Sequence, residues 1–312
     1  MTAVGFVGLG AMGASFASNL QKAGFALIVH DINREHAQAH LEGGAQWAES
    51  PSALAAQCDV VLTSLPGPRE VESVVIGDGT GLAAGARSGL AWFDLSTNSP
   101  TLMRRLHAEL APRGIAVLDA PVSGGPKGAA SGRCAVWVGG EEAIFNAHRP
   151  VLDALGDQVR YVGPIGAGSI AKLVHNAAGY AIQCALGEIF SVGVKAGLDP
   201  LPLWEAIRQG ARGRQRSFDN LAEQYLINRY EPPAFKLALA HKDVSLAAEL
   251  GRELGVPMRM INLTLAEMTE AMGRGWDQLD SRSFMRLQQE RAGISIEVAA
   301  EEMAAAIARG ED

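Results

Sequence analysis

The sequence contains little cysteine, few aromatic residues and no long apolar run. Three of its 312 residues are cysteines, and Phe, Trp and Tyr together make up 6%. Cys58, Cys134 and Cys184 are odd in number and lack metal-like spacing, which favours buried thiols in a reducing compartment over disulfides or a metal site. The sequence has no stretch of about 18 uncharged apolar residues, so it predicts no membrane span. The first residues, MTAVGFVGLGAMG, show no signal-peptide pattern, so we expect a soluble, cytoplasmic protein without a membrane partner.

An excess of positive charge is also missing. The chain has 27 Lys and Arg residues against 34 Asp and Glu residues, a formal net charge of −7. Nucleic-acid binders need a basic surface, so nucleic acid is not an expected partner. Hydrophobic residues make up 48% and charged residues 20%, which is ordinary globular composition. A length of 312 residues suits two domains better than one.

Strand-like and helix-like segments alternate through the first half of the chain. Short β-rich runs are separated by helical patterns, and the runs cover residues 4–7, 26–30, 46–48, 60–64, 91–94, 116–119 and 134–139. The last run is predicted to lead into a single helix over residues 141–155. Strands that alternate with helices predict parallel pairing in a doubly wound sheet.

The pattern changes at the cluster Gly163-Pro164-Ile165-Gly166, which marks a candidate domain boundary. Residues 169–196 predict one long helix, and no strand pattern follows it. The later predicted helices cover residues 200–208, 218–226, 238–254, 258–274 and 295–309. We therefore predict an α/β Rossmann-type N-terminal domain over residues 1–164 and an all-α C-terminal domain over residues 165–312, joined by a long interdomain helix.

A glycine-rich turn follows the first predicted strand and opens the first predicted helix. Its pattern is G-x-G-x-x-G, and its residues are Gly8, Leu9, Gly10, Ala11, Met12 and Gly13. Glycines there permit a tight turn, close approach of a pyrophosphate and close helix–strand packing. The following helix N-terminus offers N–H groups to phosphate oxygens. In the first turn of a βαβ unit, this motif predicts a dinucleotide site.

The residues after the second predicted strand bear on the choice of dinucleotide. Asp31 ends that strand, at the position where an acid accepts hydrogen bonds from the adenosine ribose. A carboxylate there repels a 2′-phosphate, which favours NAD over NADP. Arg34 lies nearby and is the residue type that a 2′-phosphate needs. NAD is therefore the predicted cofactor, and NADP stays open as the less favoured one.

The residues that carry chemistry lie in the turn 119–125 and in the long predicted helix. Backbone N–H groups and the Ser123 hydroxyl in that turn are suited to hold a carboxylate. Lys172 and Asn176 are four residues apart and therefore share one helix face. A lysine among small apolar residues is either buried, with a pKa lowered into the range of acid–base catalysis, or extended to the surface. His175 lies on another face, and we do not expect it to take part in catalysis.

Taken in order, the segments GLGAMG, DAPVSGG, GAGSIAKLVHN and KD resemble the β-hydroxyacid dehydrogenases, which include 3-hydroxyisobutyrate dehydrogenase and tartronate semialdehyde reductase. The resemblance covers the chain from Val4 to about Gly293. It implies an NAD(P)-dependent oxidoreductase that interconverts a small 3-hydroxy acid and its 3-oxo acid or semialdehyde. It also implies a homodimer or homotetramer with contacts through the helical domain.

The resemblance assigns roles to individual residues of this chain. Lys172 matches the catalytic lysine, and Asn176 matches the asparagine that positions the substrate. The carboxylate cradle matches Ser123, Gly124 and Gly125. Leu65, Pro66, Thr97 and Lys242 match positions at the cofactor, the last near its nicotinamide end. No metal is implied.

Three alternatives stay open at this point. Arg212, Arg214 and Arg216 are suited to a second carboxylate of a diacid or to a phosphorylated substrate, but also to a solvated loop or an inter-subunit cluster. An imine reductase can share the architecture and the cofactor site. A non-catalytic NAD-binding protein would keep the glycine-rich turn without needing Lys172.

Overall fold

The computed structural model describes residues 3–210 and 219–308. Its contacts fall into two compact units, Met1–Val174 and His175–Asp312. Within the described ranges, no helix is long and apolar enough to cross a membrane.

The first unit is built around a nine-stranded sheet. Its strands are β1 (Ala3–Val7), β2 (Ala26–His30), β3 (Gln46–Trp47), β4 (Val60–Thr63), β5 (Ala91–Asp94), β6 (Ala116–Asp119), β7 (Val122–Ser123), β8 (Ala135–Gly139) and β9 (Gln158–Gly163). The order is β3-β2-β1-β4-β5-β6-β8-β7, with β9 paired to β8. The order reverses between β1 and β4, and ligands bind at such switch points in open α/β sheets.

Pairing is parallel from β3 to β6 and mixed beyond β6. β8 runs antiparallel to both β6 and β7 and parallel to β9. β6 and β7 therefore run in the same direction, interrupted only at Ala120 and Pro121. Pro121 has no N–H to donate, but its carbonyl accepts from the Trp137 N–H at 3.1 Å. The prediction of parallel pairing is thus wrong for β8, because the chain continues in the direction of β6 through β7 and then returns through β8, which lies between them.

Helices cover both faces of the sheet. They are α1 (Gly13–Lys22), α2 (Gln38–Glu42), α3 (Pro51–Ala55), α4 (Pro68–Ile76), α5 (Leu82–Gly85), α6 (Pro100–Leu110), α7 (Gly125–Ser131), α8 (Glu142–Ala147) and α9 (Arg149–Asp153). A 3₁₀ helix, Arg34–Ala37, precedes α2. The single helix predicted over residues 141–155 is two helices, because Pro150 cannot donate a hydrogen bond within a continuous one.

Alternating strand residues supply two hydrophobic cores, one on each side of the sheet. On β4, Val60 and Leu62 belong to the core that contains Phe6 and Phe16, whereas Val61 belongs to the core that contains Trp92. Successive side chains of a strand point to opposite faces. A strand with helices on both faces is therefore apolar throughout, as parallel strands usually are.

The second unit is helical in its described part. Helix α10 (Ala167–Lys195) begins in the first unit and continues into the second. It is followed by α11 (Pro200–Gln209), α12 (Asp219–Ala222), α13 (Leu237–Glu253), α14 (Arg259–Gly273), α15 (Arg286–Ala292) and α16 (Ala300–Ala308). Two of these helices are shorter than predicted. Helix α12 covers four residues of the predicted range 218–226, and α16 begins at Ala300 within the predicted range 295–309. Trp204, Phe190 and Tyr225 lie in the core of this unit.

Candidate active site

The glycine-rich turn between β1 and α1 is closed on its inner side and open on its outer side. Gly8 has a φ of 94°, and a side chain at Gly13 would overlap the Gly8 carbonyl oxygen. Both positions therefore require glycine. Around Gly10, by contrast, nothing lies within 4 Å of where a Cβ would stand. The outer side of the turn is thus a cradle in which backbone can approach a pyrophosphate closely, so the residues fit the predicted dinucleotide.

Asp31 ties the glycine-rich turn to the end of β2. Its Oδ2 accepts from the Leu9 N–H at 2.6 Å, and its Oδ1 accepts from the Asn33 N–H at 2.9 Å. The His36 Nδ1 lies 3.1 Å from the same Oδ1. The Asp31 side chain is only 9% exposed. It is therefore held in place at the position predicted for ribose recognition, and sequence reasoning missed its histidine partner.

The loops after β4 and β5 are joined by a buried carboxylate. Asp94 accepts from the Thr63 hydroxyl and from the Asn98 side-chain amide, both at 2.8 Å. The Ser96 hydroxyl accepts from the Leu65 N–H at 2.9 Å. Burial raises the pKa of Asp94, and the hydrogen bonds from Ser96, Asn98 and Thr63 oppose that rise. The network fixes both loops at the carboxyl ends of their strands.

Leu65, Pro66 and Thr97, the predicted cofactor-lining residues, lie on these two loops. Pro66 is exposed, and Leu65 and Thr97 are half-buried. All three lie at the carboxyl edge of the sheet, where ligands bind in open α/β folds. Their roles at the cofactor stay a prediction.

Asp119, at the end of β6, holds the first turn of α10. It is buried, and its carboxylate accepts from the Gly166 N–H at 2.8 Å and from the Ser169 N–H at 2.5 Å. Burial raises the pKa of Asp119, and these backbone hydrogen bonds oppose the rise. A side chain at Gly168 would overlap the Trp137 carbonyl oxygen. The start of α10 is therefore packed backbone to backbone against the sheet.

Lys172 lies one turn beyond this anchored start of α10 and is half-buried. Burial and Asp157 raise the pKa of the Cys134 thiol, and the positive charge of Lys172 opposes that rise. A Cβ on Gly124 would lie 2.8 Å from the Cys134 Sγ. The charge of Lys172 therefore lowers the pKa of a thiol that lies beneath Gly124, in the turn of Ser123, Gly124 and Gly125. Lys172 is therefore neither fully buried nor fully exposed, and its position does not decide between the two predicted alternatives.

In the second unit, Asn176 is held by a buried acid. Its Nδ2 donates to the Asp243 Oδ2 at 2.6 Å, and the Lys242 Nζ lies 3.0 Å from the Asp243 Oδ1. The Asp243 side chain is 1% exposed. His175 is exposed, and its Nδ1 donates to the Asn176 Oδ1 at 2.9 Å. Asp243 thus orients the amide, and its sequence signal is an acid on the buried face of α13 beside Lys242.

Two further sequence predictions concern charge and metal. Arg212, Arg214 and Arg216 lie outside the described residues. Among the residues that the structure does describe, no cluster of three or more His, Cys, Asp or Glu side chains is arranged to hold a metal ion.

Comparison with known families matches both halves of the chain. Residues 3–163 match the NAD-binding domain of 6-phosphogluconate dehydrogenase, and residues 166–288 match the NAD-binding domain of NADP-dependent 3-hydroxyisobutyrate dehydrogenase. A 2-(hydroxymethyl)glutarate dehydrogenase of Eubacterium barkeri is 35% identical over 94% of this chain and 97% of its own length. The chain belongs to the β-hydroxyacid dehydrogenase family.

Other β-hydroxyacid dehydrogenases match over a similar extent. An NAD-dependent L-serine dehydrogenase of Pseudomonas aeruginosa is 33% identical over 92% of this chain and 98% of its own length. A solved structure of a Mycobacterium tuberculosis 3-hydroxyisobutyrate dehydrogenase with L-serine is 30% identical, the match covers 92% of this chain and 99% of that one, and the TM-score is 0.79. The predicted family and fold class are confirmed, and the chain is an NAD(P)-dependent hydroxyacid dehydrogenase.

Proposed function

We propose that this dehydrogenase oxidises a small 3-hydroxy carboxylic acid with Lys172 as the proton-transfer residue. The observation that carries the proposal is the anchoring of α10. Asp119 holds the first turn of that helix by two backbone hydrogen bonds. Lys172 follows one turn later, near the thiol that lies under the turn 123–125. The lysine is therefore fixed relative to a turn suited to a carboxylate.

The chemistry follows from these groups. The Ser123 hydroxyl and the N–H groups of Gly124 and Gly125 hold the substrate carboxylate. When bound, the nicotinamide supplies the acceptor for the hydride that leaves C3. Neutral Lys172 takes the proton from the 3-hydroxyl in oxidation, and its ammonium returns that proton to the carbonyl oxygen in reduction. Asn176, oriented by Asp243, positions the reacting hydroxyl.

We propose NAD as the preferred cofactor. The Asp31 carboxylate stands at the ribose position and would repel a 2′-phosphate. Arg34 does not offset it as a free cation, because its Nη1 lies 3.4 Å from a Glu49 carboxylate oxygen and its guanidinium lies 5.2 Å from the Trp47 ring centre. The glycine-rich turn, Leu65, Pro66, Thr97 and Lys242 complete the proposed cofactor site. The related L-serine dehydrogenase of Pseudomonas aeruginosa uses NAD.

For the substrate, a dicarboxylic 3-hydroxy acid is a second candidate within the same reaction class. The Eubacterium barkeri relative acts on 2-(hydroxymethyl)glutarate, which carries two carboxylates. Arg212, Arg214 and Arg216 add three positive charges within five positions of this chain, and arginine binds carboxylates through paired hydrogen bonds. This candidate rests on that relative and on the charges of those residues.

The test is NADH formation with a panel of acids. The panel contains 3-hydroxyisobutyrate, 3-hydroxypropionate, glycerate, L-serine and 2-(hydroxymethyl)glutarate, with a cyclic imine tested for reduction. We expect turnover of at least one hydroxy acid and a loss of about 10²- to 10⁴-fold in Lys172→Ala. Lys22 is exposed, so Lys22→Ala serves as the matched control and is expected to keep full activity. Turnover of the imine alone, or tight NAD binding without any turnover, would contradict the proposal.

We further propose a homodimer or homotetramer in the cytoplasm. An apolar surface lies at the corner between α13 and α14, where Leu254, Val256, Met260 and Leu263 are each 47% or more exposed. A second copy of the chain would bury this surface. The free thiols of Cys58, Cys134 and Cys184 suit a reducing compartment. Light scattering would show a multiple of the monomer mass, and Met260→Glu would shift it toward the monomer.

We also propose the assignment of functions to the two parts of the chain. Residues 1–164 would bind the dinucleotide, and residues 165–312 would supply substrate and oligomer contacts. The family matches, which meet between residues 163 and 166, support a division near this point.

A further inference from the structure

The contact between Asp31 and His36 lies at the proposed ribose position and has no role in the reaction described above. His36 comes from the 3₁₀ helix after β2, and its Nδ1 lies 3.1 Å from the Asp31 Oδ1. Its side chain is 48% exposed, whereas that of Asp31 is 9% exposed. The imidazole therefore stands on the solvent side of the carboxylate, where it is accessible to protons.

The ionisable side chain that the structure places in contact with Asp31 is the His36 imidazole. The other ionisable groups on the 3₁₀ helix and on the elements packed against it are Arg34, Glu35, His30, His40 and Glu42. Arg34 is paired with Glu49 and lies over the Trp47 ring.

The two neighbouring histidines are engaged elsewhere. The His30 Nδ1 lies 2.8 Å from the Ala48 carbonyl oxygen, and the His40 Nδ1 lies 3.0 Å from the Gln21 Oε1. His40 is also buried, which lowers its pKa. Glu42 accepts from the Gln38 side-chain amide at 3.1 Å, and Glu35 is exposed. His36 is thus the histidine among these three that contacts the ribose-binding acid.

We propose that His36 is a specificity-determining residue for the adenosine ribose, which sets how strongly Asp31 discriminates against a 2′-phosphate. The proposal rests on the assignment of Asp31 to the ribose. Neutral His36 leaves the carboxylate charge uncompensated, so a 2′-phosphate is repelled and NAD is strongly preferred. Protonated His36 compensates that charge and adds a cation beside the ribose, so NADP binds relatively better as the pH falls.

The size of the effect follows from Coulomb's law. A unit charge about 5 Å from a phosphate in a largely aqueous setting changes affinity by about three- to tenfold per phosphate charge, and salt reduces it. Histidine side chains generally change charge between about pH 5 and 8. A phosphate monoester itself takes up a proton near about pH 6. A variant without the imidazole is therefore needed to separate the two titrations.

The experiment is calorimetric titration of the full-length protein with NAD⁺ and with NADP⁺ at about pH 5.5, 7 and 8.5, at low salt. For the wild type, we expect the ratio of the Kd of NADP⁺ to that of NAD⁺ to rise with pH. Between the lowest and the highest pH, this rise is expected to be about three- to tenfold larger in the wild type than in His36→Gln. His36→Arg carries a permanent charge and is expected to keep this ratio low at every pH. Arg34→Gln is the matched control from the same helix, and its pH course is expected to follow the wild type.

The possible outcomes distinguish the role of His36 from the assignment of the dinucleotide site on which it rests. Identical pH courses for the wild type and His36→Gln would overturn the role of His36 and leave the cofactor assignment intact. A pH course that disappears in Arg34→Gln would assign the effect to that arginine and overturn the proposal. If neither nucleotide binds the wild type, the assignment of the dinucleotide site fails, and the role of His36 fails with it.

Discussion

Substitution of Asp119 by asparagine tests whether this carboxylate holds the start of α10. Asp119 accepts two backbone N–H groups with its two oxygens. An asparagine has a single side-chain oxygen, so one buried N–H would lose its acceptor, at a cost of about 1–3 kcal/mol. Loss of a negative charge at the helix N-terminus removes about 0.3–1 kcal/mol more. The easier burial of a neutral side chain offsets part of this, and we expect a net loss of about 2 kcal/mol in the free energy of unfolding.

The assay is urea unfolding of both proteins, followed by steady-state kinetics of the folded variant. We expect a lower unfolding midpoint and a lower kcat, because Lys172 lies one turn from the loosened bonds. Asp59→Asn is the matched control, since Asp59 is exposed and accepts from the Ala3 N–H at 3.2 Å. It is expected to change stability by less than about 0.5 kcal/mol. If Asp119→Asn were as stable and as active as the wild type, the anchoring of the catalytic helix by Asp119 would be refuted.

Three further predictions concern the turn, the second unit and acid stability. Gly13→Ala would force a methyl group against the Gly8 carbonyl oxygen and would lower both the unfolding temperature and the NAD affinity. Gly10→Ala has room for the methyl group, so we expect calorimetry to show a lower NAD affinity with an unchanged unfolding temperature. Asp243→Asn would lower kcat by about tenfold through misplacement of the substrate-positioning amide, and a kcat equal to the wild type would contradict this. Burial lowers the pKa of His40, so below the ordinary histidine pKa the unfolded chain binds more protons than the folded one, and stability falls as the pH drops. In His40→Gln, urea unfolding between about pH 7 and 5 should show a smaller loss than in the wild type, and an equal loss would refute the assignment.

Local pattern was sufficient for most of the sheet and for the long helices. β1, β2, β4, β5 and β6 were expected from apolar runs, and their bounds differ from the prediction by one residue at most. Such runs are informative because these strands are buried on both faces. The helix over 169–196 was expected for the same reason, and α10 covers Ala167–Lys195.

The elements that escaped prediction depend on contacts distant in sequence. β7 has two residues, too few for any periodicity, and exists because β8 returns to pair with it. Helix α7 contains Gly125, Pro126 and Gly128, which are typical of turns rather than helices. For such segments, tertiary packing overrides local propensity.

The site shows the same limit. Lys172, Asn176 and the glycine-rich turn were recognised from motifs, whereas the contacts that orient them were not. Asp243 meets Asn176 across 67 positions, and Asp119 meets Ser169 across 50. Both acids stand in segments that carry the family resemblance, DAPVSGG and KD, but those segments do not show which group each acid contacts. A buried carboxylate at the end of a strand or on a helix face is visible only once the fold is known.

The central claim, that Lys172 transfers the proton, is tested most directly by chemical rescue of Lys172→Ala. Small primary amines of graded basicity would be added to the variant with NAD and the best substrate of the panel. We predict that kcat/KM falls by about 10²- to 10⁴-fold, that NAD affinity is retained, and that the amines restore part of the activity in proportion to their basicity. A variant that keeps wild-type turnover, or one that binds NAD normally and is not rescued by any amine, would contradict the claim.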